Sequence, residues 1–417
     1  MVKVFSEFKL ILKSVFKLNE LNRLKSSEVL LLSHDNDRSH IINGKKYATI
    51  LDSLNFFLNK ESINSINIAT PISNYCGVKI QNEIYCINGI IIRAKIKQIL
   101  FDIISLKKNE NKNFLILAWS KIILKVAPKY IISTQPSPSL CIAAKNNNVL
   151  IFDFQHGVFD SSGYYGIKHR CKNSQKGWPN SILCWDQNSF DWVLDNCYNL
   201  TKPILVGNPW FIKTLNFSDN LLTKFYKKRP FFLKNKLKPN ILISLQYGQF
   251  ELTTLQMSHE LIEFIIDNTN NFNFLLRIHP ILIDDNVFKN KVHEKFQNYN
   301  NIDWEYTSNT PLPLILKEID IHITYSSSLT IEASWFGIKT ALLSKDIKLL
   351  RDCFNNQINS GDAFLINDSK HEIENWLIKT KNDNSHMTIN KNDFSPDNLN
   401  KFIFNLKYNK DFFNLKL

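Results

Sequence analysis

The most constraining feature of this sequence is a regular alternation of short apolar runs with helical segments between residues 241 and 343. The apolar runs that predict strands lie at residues 241–245, 272–278, 302–306, 321–325 and 340–343. Helical segments separate them, and in residues 251–267 the apolar side chains recur at helical spacing on one side. Because parallel strands need crossover connections, this alternation predicts a doubly wound parallel sheet.

The first half of the chain shows the same alternation. Its apolar runs lie at residues 29–32, 63–68, 114–117, 130–132, 149–154, 182–185 and 204–206. We therefore expect an α/β protein with two Rossmann-like domains, at residues 1–206 and 241–380. Residues 207–240 are rich in lysine and contain three prolines, which predicts an interdomain connection. Residues 381–417 are expected to form a basic amphipathic tail with a helix.

The composition excludes several classes of protein. Apolar residues make up 44% and charged residues 21% of the 417 residues, which rules out disordered, collagen-like and coiled-coil chains. Lysine and arginine outnumber the acids by 51 to 38, and the resulting formal charge of +13 favours anionic partners. A general abundance of lysine, asparagine and isoleucine explains the same charge without any partner. Seven cysteines without a CxxC pair indicate reduced thiols, as in the cytosol.

Two basic amphipathic segments raise the question of a membrane. Residues 2–18 carry apolar side chains at helical spacing with lysines between them, and residues 395–417 show a similar pattern. Either segment could lie on an anionic membrane surface, although a helix packed on its own domain looks the same. Neither a signal peptide nor an apolar run of about 18 residues is evident, so we expect a cytoplasmic protein, with peripheral membrane attachment as an alternative. No nucleic-acid motif accompanies the basic residues, and no nucleic-acid partner is expected.

Familiar signatures of dehydrogenases, P-loop kinases, α/β-hydrolases and zincins are missing from the sequence. Polar clusters remain at the carboxyl ends of predicted strands, where open α/β sheets bind ligands. Arg277, His279 and Pro280 form the first cluster. Pro280 restricts His279 to an extended conformation and Arg277 adds a permanent charge, so a phosphate would be bound well there. A histidine bonded to a backbone carbonyl is the structural alternative.

The second cluster is Ser326, Ser327 and Ser328, followed by Glu332 one turn into a predicted helix. One serine is expected to cap the helix, while the other hydroxyls and the free backbone N–H groups face an anion. Glu332 is placed to accept hydrogen bonds from ribose hydroxyls. The two clusters close consecutive units of one predicted sheet, so together they predict a site for the phosphate and ribose of a nucleotide.

The segments RIHP and SSSLTIEASWFG resemble the His-Pro and Ser-Ser/Thr motifs of bacterial polysialyltransferases and related CMP-sugar transferases. They also resemble the nucleotide site of CDP-glycerol glycerophosphotransferases, and the similarity covers roughly residues 150–345. These families are GT-B enzymes, with two facing Rossmann-like domains and the donor held mainly by the C-terminal one. The resemblance implies that Arg277 and His279 contact the donor phosphate, that residues 326–328 contact phosphate or nucleotide, and that Glu332 contacts the ribose.

A further segment resembles part of the glycerophosphotransferases. Gln155, His156 and Gly157 follow the apolar run at residues 149–154 and are similar to a Gln/Trp-His-Gly segment in which the histidine is thought to act as base. Gly157 is expected to let the backbone turn sharply, so that His156 emerges on the cleft side. The resemblance therefore makes His156 one candidate for the general base.

An early polar loop supplies the other candidates. Related sialyltransferases carry an acceptor-activating carboxylate in an early loop of the first domain, and Asp35 or Asp37, close to His34, would be its counterpart. Capping of the following helix by this loop is the structural alternative. Tyr247 and Gly248, which follow the strand predicted at residues 241–245, are also expected to line the cleft.

These expectations combine into one function. A sugar such as sialic acid, Kdo or another nonulosonic acid would pass from a CMP-activated donor to an acceptor glycan in capsule or lipopolysaccharide synthesis. One base and one leaving-group site suffice for a single displacement, which predicts inversion, although retention stays possible. No obvious Asp-x-Asp metal site lies in the second domain, so neither a metal nor another cofactor is expected, with a metal at the loop acids Asp284 and Asp285 as the alternative. The alternatives are a CDP-polyol phosphotransferase, another nucleotide-sugar transferase, or a non-catalytic membrane-associated partner in capsule assembly.

Overall fold

The computed structural model describes most of the chain. The described residues are 20–33, 38, 40–42, 45–69, 82–104, 113–159, 175–217, 227–234, 237–246, 253–283, 285–343, 345–382 and 394–410. The helix predicted at residues 2–18 lies outside these ranges, as do the candidate residues His34, Asp35, Asp37, Tyr247 and Gly248. Among the helices that the structure describes, none has the length and apolar character needed to span a bilayer.

The chain divides into two compact units. Unit 1 comprises Met1–Trp210 together with Ser395–Leu417, and unit 2 comprises Phe211–Phe394. The sequence pattern predicts a separate connection at residues 207–240, whereas the structure assigns this stretch to unit 2 from Phe211 onward. The end of the chain returns to unit 1, where the ring of Phe402 packs edge-on against Phe152 with 5.6 Å between centroids. The described part of the tail thus completes the first domain.

Unit 1 contains a seven-stranded parallel sheet. Its strands are β1 Val29–Ser33, β4 Ser65–Ala69, β5 Ile84–Cys86, β6 Tyr130–Ser133, β7 Leu150–Phe154, β8 Ser181–Cys184 and β9 Lys202–Leu205, and β2 His40–Ile42 pairs with β3 Lys45–Tyr47 in a separate antiparallel pair. The order in the sheet is β5-β4-β1-β6-β7-β8-β9, so the direction of winding reverses between β1 and β6. Both of these central strands are buried along their whole length, as expected for a sheet covered on both faces.

Unit 2 contains a six-stranded parallel sheet with the same type of winding. Its strands are β10 Asn240–Ser244, β11 Asn273–Arg277, β12 Ile302–Asp303, β13 Ile321–Thr324, β14 Lys339–Leu342 and β15 Ala363–Leu365. The order is β12-β11-β10-β13-β14-β15, and the winding reverses between β10 and β13. The two Rossmann-like domains with parallel sheets that the sequence predicts are therefore confirmed.

Helices form the crossovers between these strands. The described helices are α1 Glu20–Arg23, α2 Thr49–Lys60, α3 Asn88–Ile104, α4 Phe114–Val126, α5 Pro138–Asn146, α6 Gln187–Cys197, α7 Pro209–Asn216, α8 Phe231–Lys234, α9 His259–Asp267, α10 Asn286–Phe296, α11 Glu305–Asn309, α12 Leu312–Leu316, α13 Leu329–Ser334, α14 Ile347–Asn359, α15 Lys370–Asn382 and α16 Asp397–Lys407. The predicted C-terminal helix is thus present as α16, whose apolar side packs within unit 1.

Three local predictions are wrong because polar side chains start helices. The run at residues 114–117 begins α4, since Asn113 Oδ1 accepts hydrogen bonds from two N–H groups of its first turn. The run at residues 302–306 is a strand only as far as Asp303, whose carboxylate caps α11. The helix predicted from residue 251 begins at His259, where Ser258 Oγ accepts from Leu261 N at 3.0 Å.

Candidate functional site

The candidate site lies at the carboxyl edge of the unit 2 sheet. Ser244, the last residue of β10, pairs in register with Arg277 of β11 on one side and with Thr324 of β13 on the other. The two polar clusters therefore emerge with β10 between them, about 10 Å apart. Because the winding reverses between β10 and β13, this edge is where doubly wound sheets bind ligands.

Arg277 is directed at backbone carbonyl groups. Its Nη1 donates hydrogen bonds to the carbonyl oxygens of Thr307, at 2.5 Å, and Thr310, at 3.1 Å. Burial lowers the pKa of Arg277 to about 10, and the carboxylate of Glu332 acts against this shift. The guanidinium is thus charged at neutral pH and holds α11 and the following residue, Thr310, against the end of β11. Contact between Arg277 and a donor phosphate stays a prediction.

His279 is half-buried just beyond the end of β11. Burial lowers the pKa of its imidazole below the usual value, so the ring is neutral at pH 7. Its backbone carbonyl accepts from Leu282 N at 2.8 Å, and exposed Pro280 begins a single 3-10 turn that ends at Leu282. A neutral imidazole offers one N–H donor and one acceptor to a ligand but no positive charge.

The three serines have different surroundings. Ser327 Oγ accepts from Leu329 N at 3.2 Å, so one serine does bond to the start of the helix as predicted. The next two N–H groups, of Thr330 and Ile331, donate to carbonyls within the same turn, so the expectation of free N–H groups is wrong for these three. Half-buried Ser328 occupies the N-cap position without a capping bond from its side chain. Ser326 is also half-buried.

Glu332 lies in the first turn of α13 and is only 8% exposed. Its carboxylate raises the pKa of Arg277 against the effect of burial, so the two side chains interact electrostatically. A contact between Glu332 and a ribose stays a prediction, and the small exposed area makes it a less accessible residue than the sequence suggests.

A buried chain of hydrogen bonds, which the sequence does not predict, runs across three neighbouring strands below the site. His322 of β13 lies 2.9 Å from Ser244 Oγ through Nε2 and 3.1 Å from Thr340 Oγ1 through Nδ1. Complete burial lowers the pKa of His322 to about 3, so the ring is neutral. The only signal in the sequence is a histidine inside an apolar strand, which gives no indication of its partners.

A second group of polar residues closes the same edge. Tyr325 Oη accepts from Ser258 N at 2.8 Å, and Ser258 Oγ donates to Asp368 Oδ1 at 2.7 Å. Burial raises the pKa of the Asp368 carboxyl. Gln246, which continues β10, donates from Nε2 to Thr324 Oγ1 at 3.3 Å. These contacts hold the ends of β10 and β13 at the carboxyl edge of the sheet.

In unit 1, Gln155 has a structural role and does not line a cleft. Its Oε1 accepts from Trp185 N at 2.8 Å, and its Nε2 donates to Ser189 Oγ at 2.9 Å and to the Gly157 carbonyl at 3.0 Å. The residue is fully buried, so these bonds satisfy its amide within the protein. The placement of Gln155 at a ligand cleft is therefore wrong.

His156 and Gly157 follow Gln155 at the carboxyl edge of the unit 1 sheet, and both are half-buried. Gly157 does not have a positive φ, and a Cβ built on it would meet nothing within 4 Å. Gly157 thus makes no turn that only glycine could make. His156 stays a candidate base, and so do Asp35 and Asp37, which lie outside the described residues.

No family model matches this chain, and no curated protein matches its sequence. Solved structures do match over nearly the whole length. The S. aureus MnaA–UDP structure is 11% identical, covers 92% of this chain and 98% of its own, and superposes with a TM-score of 0.57. A putative UDP-N-acetylglucosamine 2-epimerase from Listeria monocytogenes is 11% identical, covers 93% and 98%, and gives 0.58. The wall teichoic acid polymerase TagF is 12% identical, covers 99% and 100%, and gives 0.54.

These similarities agree with the architecture of the two units. Two Rossmann-like domains with parallel sheets, completed by a C-terminal helix, define a GT-B fold. At 11–12% identity the likeness shows the fold alone. The narrower resemblance to polysialyltransferases stays a prediction from the sequence.

Proposed function

We propose that this chain is an inverting GT-B glycosyltransferase that moves a nonulosonic acid from a CMP-activated donor to an acceptor glycan in capsule or lipopolysaccharide synthesis. The observation that carries the proposal is the position of His279 and Ser328, which follow strands on either side of β10 at the edge where doubly wound sheets bind nucleotides. The GT-B fold and the ligands of two similar structures, UDP and UDP-GlcNAc, support a nucleotide-activated donor.

The proposed chemistry follows from the charge that develops on the donor. When the bond between the sugar and the CMP phosphate breaks, the leaving phosphate gains negative charge. The hydroxyl of Ser328 and an imidazole N–H of His279 would donate hydrogen bonds to it, each contributing about 1 kcal/mol. Arg277 would add a favourable field while it holds α11 and Thr310 in place.

The acceptor hydroxyl must lose its proton as it attacks the anomeric carbon. His156 would take it as the general base, with Asp35 or Asp37 as the alternative base. We propose that the reaction needs no metal ion, because hydrogen-bond donors and a charged guanidinium would stabilise the leaving group. Activity should then persist in excess EDTA, and loss of activity that added magnesium restores would reject this part of the proposal.

A CDP-polyol phosphotransferase is the second candidate. It is favoured by the similarity to TagF, which extends over 99% of this chain, and by the existence of a similar TagF structure soaked with CDPG. The same clusters would then hold the CDP group of the donor. The acceptor hydroxyl would attack the phosphorus that carries the polyol, the diphosphate bond would break, the polyol phosphate would pass to the acceptor and CMP would leave. A non-catalytic, membrane-associated partner in capsule assembly is the third candidate, and it is supported only by the basic terminal segments.

Release of the nucleotide from separate donors tests these candidates. We expect CMP release from CMP-sialic acid or CMP-Kdo in the presence of acceptor, and none from CDP-glycerol or UDP-sugars. Turnover with CDP-glycerol alone would establish the second candidate, and turnover with a UDP-sugar alone would reject both cytidine donors. His279→Ala should lower turnover about fivefold, whereas exposed His293→Ala on α10 should leave it unchanged.

The membrane question needs its own experiment. We propose a cytoplasmic enzyme with peripheral attachment through its basic segments, each lysine near an anionic surface contributing about 1 kcal/mol. Co-sedimentation with phosphatidylglycerol vesicles should then weaken as the salt concentration rises. If the protein does not sediment at any salt concentration, peripheral attachment is rejected and the enzymatic proposal is unaffected.

A further inference from the structure

A pocket lies at the amino-terminal edge of the unit 2 sheet, opposite the edge that carries the candidate nucleotide site. It has a volume of about 400 Å³ and is bordered by the start of β11 and by the turns that follow α9 and α10. Asn273 begins β11 and Arg277 ends it, so about 13 Å of strand separates the pocket from the candidate nucleotide site. The volume is within the range of about 300–1,000 Å³ that small-molecule sites occupy.

The floor of this pocket is held by hydrogen bonds within the protein. Asn301 Nδ2 donates to the carbonyl oxygens of Thr269 and Phe272, both at 2.6 Å. Lys238 Nζ also donates to the Thr269 carbonyl, at 3.0 Å. These contacts join two turns and the segment before β10, so the shape of the pocket is set before any ligand enters.

The rim, in contrast, carries open amides. Asn270, Asn298 and Asn300 line the pocket and are exposed, and in the part of the chain that the structure describes their side chains form no hydrogen bond. Each carboxamide has a donating NH₂ group and an accepting oxygen. A sugar hydroxyl both donates and accepts, so this set of groups is complementary to the edge of a pyranose ring.

Aromatic and apolar side chains complete the lining. Tyr299 packs against the unit 2 core and Phe232 is half-buried, whereas Phe231 and Leu237 are 80% and 89% exposed. Such surfaces suit the C–H face of a sugar ring. Among the described lining residues Lys238 is the one charged side chain, and its ammonium already bonds to a carbonyl. The lining therefore favours an uncharged ring over a phosphate.

We propose that this pocket is a second saccharide-binding site, which holds one or two uncharged pyranose rings of a glycan chain away from the site of transfer. Identifying that chain as the acceptor glycan rests on the proposed function. A site of this kind would raise the local concentration of acceptor near the enzyme without taking part in the chemistry.

Saturation-transfer NMR with free disaccharides tests this site. Lactose and N,N′-diacetylchitobiose serve as probes at about 10 mM, which detects millimolar dissociation constants. We expect saturation of the ring protons of at least one probe, and this saturation should persist in excess CMP. The double variant Asn298→Ala/Asn300→Ala should weaken binding about tenfold, whereas Asn355→Ala/Asn356→Ala, at exposed positions of α14, should not.

Several results would overturn the proposal. Absence of saturation transfer to both disaccharides would do so, and so would equal binding by the wild type and the Asn298→Ala/Asn300→Ala variant. The proposal would also be overturned if this surface proved to bind membranes. In that case no disaccharide binds, and Phe231→Ser/Leu237→Ser abolishes sedimentation with phosphatidylglycerol vesicles. Because these assays contain no donor, failure here leaves the proposed transfer reaction standing, and failure of transfer leaves this site standing.

Discussion

The two sheets share a winding order but differ in what they bury just after the winding reverses. The second residue of β6 in unit 1 is Ile131, and the second residue of β13 in unit 2 is His322. Both are 0% exposed. Isoleucine needs only apolar neighbours, whereas a buried histidine needs hydrogen-bond partners, which Ser244 and Thr340 supply. The same topology is thus stabilised by packing in one sheet and partly by a polar chain in the other.

The carboxyl edges of the sheets differ in a related way. In unit 1 the amide of Gln155 is fully used by Trp185, Ser189 and Gly157. In unit 2 the side chain of Ser328 makes no capping bond, although it occupies the N-cap position. Polar groups that a protein satisfies itself stabilise the fold, and those that it leaves accessible can bind a ligand. This difference supports the second sheet as the nucleotide-binding one.

The largest expected effect is a difference between the two sheets in how their stability depends on pH. The pKa of His322 in the folded state, about 3, is below the value of about 6.5 in an unfolded chain. The unfolded state therefore binds more protons below pH 6.5, so this stability is complete above pH 6.5 and is lost as the pH falls towards 3. Between pH 7.5 and 4 we expect β13 to lose about 3 kcal/mol of opening free energy relative to β6, measured by hydrogen–deuterium exchange.

A pair of variants assigns this pH dependence. His322→Asn should remove most of the difference between the β13 and β6 peptides, because it removes the group that must be protonated. His293→Asn, on the exposed side of α10, should leave the difference unchanged. If the difference persists in His322→Asn, another group in unit 2 controls it.

Replacing Arg277 should have the next largest effect. Arg277→Ala removes a charged donor from the carbonyls of Thr307 and Thr310 and should lower the free energy of unfolding by about 3 kcal/mol. Chemical denaturation measures this loss, and exposed Arg351→Ala should change it by less than about 0.5 kcal/mol. Unchanged stability together with lost donor binding would instead make Arg277 a direct phosphate ligand.

The sheets could be predicted from the sequence because their signals are local. A buried parallel strand is a short apolar run, and the run at residues 321–325 matches β13 to within one residue. The run at residues 302–306 looks the same, but the carboxylate of Asp303 bonds to Tyr306 N and Thr307 N and turns the chain into a helix. Apolar periodicity alone does not reveal that a side chain inside the run can cap a helix and so end the strand.

The site was only partly predictable, for a different reason. The sequence makes His279 and Ser328 candidates because Arg277–Pro280 and the three serines come at the ends of apolar runs, and their contact with a ligand stays a prediction. The partners of Arg277 lie 30 and 33 residues away, and the distance along the chain from Gln155 to Trp185 is 30 residues. Such long-range partners decide whether a polar group is satisfied within the protein or open to a ligand, and no local pattern encodes them.

Replacing Gln155 tests whether this residue has only a structural role at the carboxyl edge of the unit 1 sheet. Gln155→Leu keeps the size of the side chain but leaves Trp185 N without its acceptor, which should lower the free energy of unfolding by about 2 kcal/mol. CMP release per folded molecule should not change. Gln187→Leu, at an exposed position of α6, is the matched control and should change stability by less than about 0.5 kcal/mol. A Gln155→Leu variant that folds normally and loses turnover would show that Gln155 does line a ligand cleft.

Ser327 and Ser328 give the smallest and sharpest test, because adjacent serines are expected to respond in opposite ways. Ser327→Ala removes the hydrogen bond to Leu329 N, so it should lower stability by about 1 kcal/mol and leave donor affinity nearly unchanged. Ser328→Ala should leave stability unchanged and weaken donor binding about fivefold, equivalent to about 1 kcal/mol. Titration calorimetry with CMP and thermal denaturation measure the two quantities. If both variants lose only stability, the protein itself satisfies both serine hydroxyls, just as it satisfies the amide of Gln155. The carboxyl edges of the two sheets would then not differ, and the reason for placing nucleotide binding in unit 2 would be lost.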